Sequence, residues 1–230
     1  MSKYLNLFKT KTEADAAVYD ENNTPNVSYC EEDDSVKYTE KIIPPSLEAT
    51  FVDLGLPSGL KWAKANLGAE SETDPGLYYM WGETEGHEKN SGYEFTSKNY
   101  TAKGLNTIST NLSLAQDAAN VRLGGEWRMP TKTEFGELLT NTNATWTTIN
   151  GVTGFKFANK TDSSKYIFMP AAGLYYGDSS LYGWGSYGNY WSSTFRDRSD
   201  AYKFDFSSMN PSIQNYTRYA GYTVRAVCTK

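Results

Sequence analysis

Two explicit helix starts stand inside text that otherwise reads as short strands and turns, and this balance constrains the fold more than any other feature. Ser113-Leu114-Ala115-Gln116 and Thr131-Lys132-Thr133-Glu134 both fit the capping box, in which two side chains satisfy backbone N–H groups that a helix start leaves without partners. Gly124-Gly125 closes the first helix, and strand-and-turn text resumes beyond Asn141. Ahead of the helices, residues 51–54 and 60–63 read as strands joined by the turn Gly55-Leu56-Pro57-Ser58-Gly59, the start of a meander. After them, 154–158, 165–169, 190–194, 201–206 and 222–227 carry strand patterning. Two helices within a mainly antiparallel, loop-rich β framework make an α+β fold.

At 230 residues the chain can bury a sizeable core and still carry a small appendage. The net charge of −5 arises in residues 1–48, which hold 10 acidic and 5 basic side chains; the remainder carries 17 of each sign. A neutral main body argues against nucleic acid as a partner, because phosphate binding needs a cationic face. Pro44-Pro45, stiff and extended, marks a border between a small N-terminal segment (1–48) and a main domain (49–230). Within the segment, 12–17 could form one or two helical turns. Residues 26–29 and 36–38 could form two strands around a solvated acidic turn, Glu31-Glu32-Asp33-Asp34. No stretch reaches transmembrane length and Met1 to Thr10 lacks the apolar core of a secretory signal, so neither membrane insertion nor an export signal is expected. Cys30 and Cys228 have no metal-ligand spacing, and each is expected to be reduced and structural.

Residues 173–222 are the compositional outlier. They hold 9 Tyr, 9 Ser, 4 Asp and 3 Asn in 50 positions, and no Glu. Rigid amphipathic rings among short adaptable polar groups are the chemistry of a recognition surface. The competing interpretation is a Gly-rich, loop-heavy end of an ordinary domain with its Tyr rings half in the core.

Three ordered motifs carry a resemblance: Gly125-Glu126-Trp127-Arg128-Met129-Pro130-Thr131-Lys132-Thr133-Glu134-Phe135, then Tyr190-Trp191-Ser192-Ser193-Thr194, then Gly221-Tyr222-Thr223-Val224-Arg225-Ala226-Val227. Over roughly residues 50–230 the chain resembles the Fibrobacter succinogenes major paralogous domain, itself similar to the formylglycine-generating type of C-type lectin fold. The resemblance implies a C-type lectin fold with two helices, small antiparallel sheets and long loops. Residues 173–227 also resemble the variable region of target proteins of diversity-generating retroelements in Bacteroides phages. In that system miscopied template adenines scatter Asn codons into Tyr, Ser, Asp, Gly, Phe and Arg but not Glu, Lys, Met, Gln or Trp. The missing Glu agrees. Trp184, Trp191, Lys203, Met209 and Gln214 are then scaffold positions, products of other template codons, or evidence against diversification. Residues 7–17 and 25–29 resemble leaders on phage tail and fibre proteins, the other interpretation being a small capping hairpin.

The catalytic relatives use paired copper-binding cysteines, and the framework here offers only Cys228. His87 lies among loop charges and is expected to be merely solvated, with no nucleophile pattern beside it. The Glu-Pro-Asn and Trp-Asn-Asp signatures of calcium-dependent sugar binding are absent, so no cofactor or obligatory metal is expected in the site; the carboxylates of Asp197, Asp200 and Asp205 are compatible with a structural ion. What remains is a non-enzymatic binding surface, with no catalytic residues. Its expected contacts are Tyr176, Asp178, Tyr182, Tyr187, Asn189, Phe195, Arg196, Asp197, Arg198, Ser199, Asp205, Ser207, Asn215, Tyr216 and Tyr219. Trp62, Trp81, Trp127, Trp146 and Leu138 are expected in the core, and Arg128 and Arg225 in buried structural hydrogen bonds. The resemblance implies a host cell-surface receptor, glycan or protein, as partner. It also implies a tail or baseplate protein as partner to residues 1–48, a homotrimer as an assembly such modules adopt, and the virion as location. A bacterial surface or secreted adhesin of the same fold is the alternative, and a formylglycine-generating oxidase a distant one.

Overall fold

A computed structural model describes residues 26–30, 35–39 and 49–229, and the chain divides into two units, Met1–Pro45 and Ser46–Lys230. In the first unit β1 (Asn26–Cys30) pairs antiparallel with β2 (Ser35–Thr39), Asn26 standing opposite Thr39 and Cys30 opposite Ser35. The expected leader, the helical turns at 12–17, the acidic turn and the Pro44-Pro45 border lie outside the described residues.

The second unit is α+β, with few helices and several small antiparallel sheets among the described residues. β3 (Phe51–Val52) and β4 (Lys61–Ala63) pair around the expected turn, and β13 (Val227–Cys228) completes their sheet in the order β13-β4-β3. Three helices follow: α1 (Ser97–Ala102), α2 (Ala118–Leu123) and α3 (Lys132–Asn141). β5 (Thr142–Ile149), β6 (Val152–Asn159) and β7 (Tyr166–Pro170) form one three-stranded meander. β8 (Leu174–Tyr175) and β9 (Leu181–Tyr182) form a small hairpin. β10 (Gly188–Phe195), β11 (Asp200–Phe206) and β12 (Ser212–Thr217) form the second meander.

The helix starts differ in how far they carry. Thr131 caps α3 as its sequence predicts: its side chain accepts from Glu134 N, and Glu134 Oε2 accepts from Thr131 N at 2.8 Å. The helix expected from Ser113 to Gly124 is instead broken. Gln116 Oε1 accepts from Ser113 N and Oγ, but the turn it closes is a 3₁₀ turn over Leu114–Gln116. Asp117 then starts again. Its backbone is extended, and its carboxylate accepts from Ala119 N, Asn120 N and, across twelve residues, Met129 N at 2.8 Å. A buried side chain that serves a distant N–H cannot take a mid-helix position, so the tertiary contact wins over local propensity. α1, which no apolar periodicity announces, is held by Thr96 accepting from Asn99 N.

The meander β10-β11-β12 divides the interior because successive strand residues face opposite ways. Tyr190, Phe204 and Ile213 are register partners on one face, where they meet α3, Trp62, the β6 aromatics Phe155 and Phe157, and Ile167 and Met169 of β7. Phe135 of α3 stacks on Phe204 with ring centroids 4.7 Å apart, a contact that adds about 0.5–1.5 kcal/mol beyond its area. Trp191 and Ala201 face the other way into a second cluster with Trp81, Tyr79 and Tyr222. Residues 222–227, expected as one strand, run between these walls and are read one residue at a time. Tyr79, Trp191, Leu67, Ala63 and Arg128 each donate a backbone N–H to a different carbonyl of that stretch. Only Val227–Cys228 counts as a regular strand, since no single neighbour runs alongside for long.

Trp62, Trp81 and Leu138 are buried as expected, whereas Trp127 and Trp146 are half-buried at the margins of the two clusters. Arg225 is fully buried and donates to Asn66 Oδ1, Phe168 O, Ala63 O and Lys64 O. Burial draws its pKa down to about 10. Arg128 differs from expectation: it is half-buried and forks onto Glu134, with Nη1 to Oε2 at 2.8 Å, at the start of α3. Cys228 is buried in β13.

Candidate functional site

Register places polar side chains on the outward end of the face that bears Trp191. Asn189, Asp205 and Ser212 are mutual partners, as are Trp191, Lys203 and Gln214, and Ala201 and Tyr216 follow. Beyond the buried Trp191 and Ala201 this face opens into a cleft of about 400 Å³. Leu174, Tyr187, Asn189, Lys203, Asp205, Phe206, Ser207, Asn210, Ser212, Tyr216 and Tyr222 line it. Hairpin β8–β9 and the 183–187 turn supply one wall, β11 and β12 the other.

A charge pair forms the floor. Lys203 is 8 % exposed, and its Nζ donates to Asn189 Oδ1 at 2.7 Å and Asp205 Oδ2 at 2.8 Å. The ammonium also lies 5.6 Å from the Tyr216 ring centroid and 5.3 Å from that of Tyr222. Burial pulls the Lys203 pKa down and the Asp205 charge opposes that pull. Asp205 Oδ1 accepts from Ser212 Oγ at 2.7 Å, and Asn189 Nδ2 donates to Gly173 O. Burial pushes the Tyr222 hydroxyl well above its usual range, and Tyr216 and Asp205 push it further, so it stays a neutral wall.

The rim is aromatic. Tyr176 stacks on Tyr219 and meets Tyr216 edge-on, with centroids 5.5 Å apart in both pairs, and Tyr219 Oη donates to Tyr176 Oη. Tyr187 is 52 % exposed and lies over Gly183. Gly183 has φ +66°, and a Cβ there would stand 2.3 Å from the Tyr187 ring, so only glycine lets the ring settle. Tyr176, Tyr187 and Tyr216 are exposed, Tyr219 is half-buried, and all are already packed by neighbours, which lowers the entropy lost on contact with a ligand.

The structure divides the fifteen residues named from sequence. Tyr187, Asn189, Asp205, Ser207 and Tyr216 line the cleft; Tyr176 joins them through Tyr216, and Tyr219 through Tyr176. Asn189 takes part from a buried position. Asp178 and Tyr182 lie on hairpin β8–β9, where Tyr182 Oη donates to Asp178 Oδ2 and Asp178 Oδ1 accepts from Ser180 N. Arg196, Asp197, Arg198 and Ser199 form the β10–β11 connection, at the opposite end of the strands from Gly188 and Phe206. Asn215 belongs with them: it pairs with Tyr202 on the other face of the sheet and accepts from Arg196, which also binds Asp200. Asp197 is a turn-former, accepting from Ser199 N and Asp200 N. Phe195 is half-buried against Trp81 and Arg218, a packing position.

Sequence reasoning missed Lys203, Leu174, Phe206, Ser212, Asn210 and Tyr222 as cleft residues. The signal for Lys203 was the alternation of Lys203 with Asp205, which puts both on one face of β11. His87 also differs from the solvated residue expected. Its ring stacks on Tyr93 at 3.5 Å and meets Glu83 Oε1 at 2.9 Å, and Lys103 reaches the same oxygen at 2.7 Å. Burial would raise the Glu83 pKa, but bonds from His87, Lys103 and Met80 N outweigh it and hold the carboxyl below its ordinary value. This network braces α1 and the 83–87 loop. Among the described residues no group of three side chains able to hold a metal ion occurs, and no helix is long and apolar enough to cross a membrane.

No curated protein and no solved structure matches the chain. Residues 138–227, from within α3 to β13 and including every residue of the cleft, are similar to a family described as a domain of unknown function, DUF8237.

Proposed function

We propose that this chain is a non-enzymatic binding module of the C-type lectin fold, carried on a phage tail through residues 1–48, that recognises a host cell-surface receptor. The observation that carries this reading is the convergence of three segments on one cleft with a polar floor: Tyr187 and Tyr216 line it, and Tyr176 and Tyr219 pack beside Tyr216 at its rim. An enzyme would need an activated nucleophile or a positioned acid and base, and the one imidazole is stacked on Tyr93 and bound to Glu83 on the 83–87 loop. The few helices and small antiparallel sheets agree with the lectin resemblance. Diversification is supported in part: Trp191 and Lys203, which adenine scattering cannot produce, are buried at 0 % and 8 % and act as scaffold. Trp184 and Met209 are exposed and Gln214 lies at the surface, so they would derive from other template codons.

The test is binding of the fluorescently labelled chain to a panel of Bacteroides cells. Replacing Tyr176, Tyr187, Tyr216 and Tyr219 together with Ala should abolish binding, since one aromatic hot spot commonly contributes about 2 kcal/mol. The melting temperature should change by only a few degrees. Undiminished binding by the fourfold variant would sink the proposal.

A further inference from the structure

The cleft floor specifies its ligand more narrowly than the aromatic rim does. An ammonium carries three donors. Two of those on Lys203 go to Asn189 Oδ1 and Asp205 Oδ2, leaving one N–H for a group entering the cleft. Asp205 has a side chain 28 % exposed, and beyond its bonds to Lys203 and Ser212 its oxygens have further lone pairs. A donor and an acceptor thus stand side by side, with their charges cancelled across 2.8 Å. Tyr187 and Tyr216 rise beside them with exposed ring surface.

We infer that the cleft seats one neutral pyranose ring without a metal ion: one hydroxyl accepts from Lys203 Nζ, its vicinal neighbour donates to Asp205, and the C–H face lies on Tyr187 or Tyr216. The assignment deepens the binding reading above and rests on it. Other ligand classes fit the floor less well. An anion drawn to Lys203 would meet the Asp205 carboxylate beside it. A divalent cation needs six to eight oxygens, commonly from several carboxylates, whereas this cleft holds one carboxylate already bound to an ammonium. A purely apolar group would strip water from both charges and return no hydrogen bond. The volume of about 400 Å³ is near the lower end of small-ligand pockets, ~300–1,000 Å³, and suits one sugar unit with the rest of a glycan running over the rim.

The experiment is saturation-transfer NMR on the full chain with methyl glycosides of glucose, galactose, mannose, fucose and N-acetylglucosamine, each with and without EDTA. Glucuronate and a sulfated galactoside serve as anionic probes, and cell binding is measured on the same samples. The expected result is transfer to at least one neutral glycoside, unchanged by EDTA and weakened about tenfold or more in Lys203→Met and in Asp205→Asn. Asp205→Asn keeps the shape of the floor, and Tyr187→Ala, at an exposed ring, reads the wall if Lys203→Met does not fold. Transfer that needs calcium, or that favours the anionic probes, overturns the inference. So does Tyr-dependent cell binding with no transfer to any neutral glycoside, which leaves the receptor reading standing with a protein ligand. Loss of both cell binding and transfer in the wild-type chain overturns the two together.

Discussion

Four acceptors and three rings close around the guanidinium of Arg218. Nε donates to Tyr100 Oη, Nη2 to Leu105 O, and Nη1 to the carbonyls of Asp197 and Arg198, while Trp81, Tyr100 and Phe195 face the charge at 4.8–5.6 Å. The residue is 1 % exposed and ties α1, the 105–107 turn and the β10–β11 connection to β12. Lysine cannot reproduce this planar fork. Arg218→Lys should therefore lose about 3 kcal/mol in urea unfolding; a loss below about 0.5 kcal/mol would show that the network carries no weight. Glu83 makes a pH-dependent contribution. Its folded pKa is depressed, so its stabilisation is complete above the unfolded value of about 4.3 and disappears as pH falls through the lower folded value. Glu83→Gln should cost on the order of 2 kcal/mol at pH 7. The gap to wild type should narrow as melting is followed from pH 5 to pH 3, and a gap that stays constant over that range refutes the assignment.

At the scale of elements, legibility tracked whether the determining contact was local. The α3 start was readable because Thr131 and Glu134 satisfy each other within one turn, and Glu134 adds only the nearby Arg128. The break at Asp117 was not readable, because its reason is Met129 N, twelve residues on. β5 was overlooked although four threonines and Trp146 gave β propensity: its burial pattern shows no clean alternation to find. Residues 222–227 looked like one strand because their composition is right, but pairing is a property of partners. Asp117 offers the sharpest test. Asp117→Ala removes the cap of α2 and orphans Met129 N, and should cost about 2 kcal/mol by chemical denaturation. Asp117→Asn keeps an acceptor oxygen and should cost less. Equal losses for the two would mean that charge, rather than the acceptor geometry, holds the junction.

Over the whole molecule, composition located the candidate site and register divided it. The Tyr- and Ser-rich text of 173–222 contains all the cleft residues, but the sequence could not separate rim from core within it. Tyr190 and Tyr216 read alike as text; one is fully buried with its hydroxyl pushed up to about 12 by burial, the other is 37 % exposed. Nor could it show that Arg196 and Asn215 lie on the opposite sheet face from Lys203. That division makes a prediction about variation among copies of the gene. If the surface is diversified, deep sequencing of codons 173–222 across a population should find substitutions at template adenines in the codons for Tyr176, Tyr187, Arg198 and Tyr216, all exposed. Tyr175, Tyr190, Trp191, Phe204, Arg218 and Tyr222 are each at most 2 % exposed and packed in the interior, so their codons should stay constant. Lys203 should stay constant as well, because every variant of the rim would use the same charged floor. Substitutions scattered over buried and exposed codons alike would contradict both the diversification and the separation of scaffold from surface. A uniform region would remove diversification and leave the proposed binding surface with a fixed specificity, which the glycoside panel would then test directly.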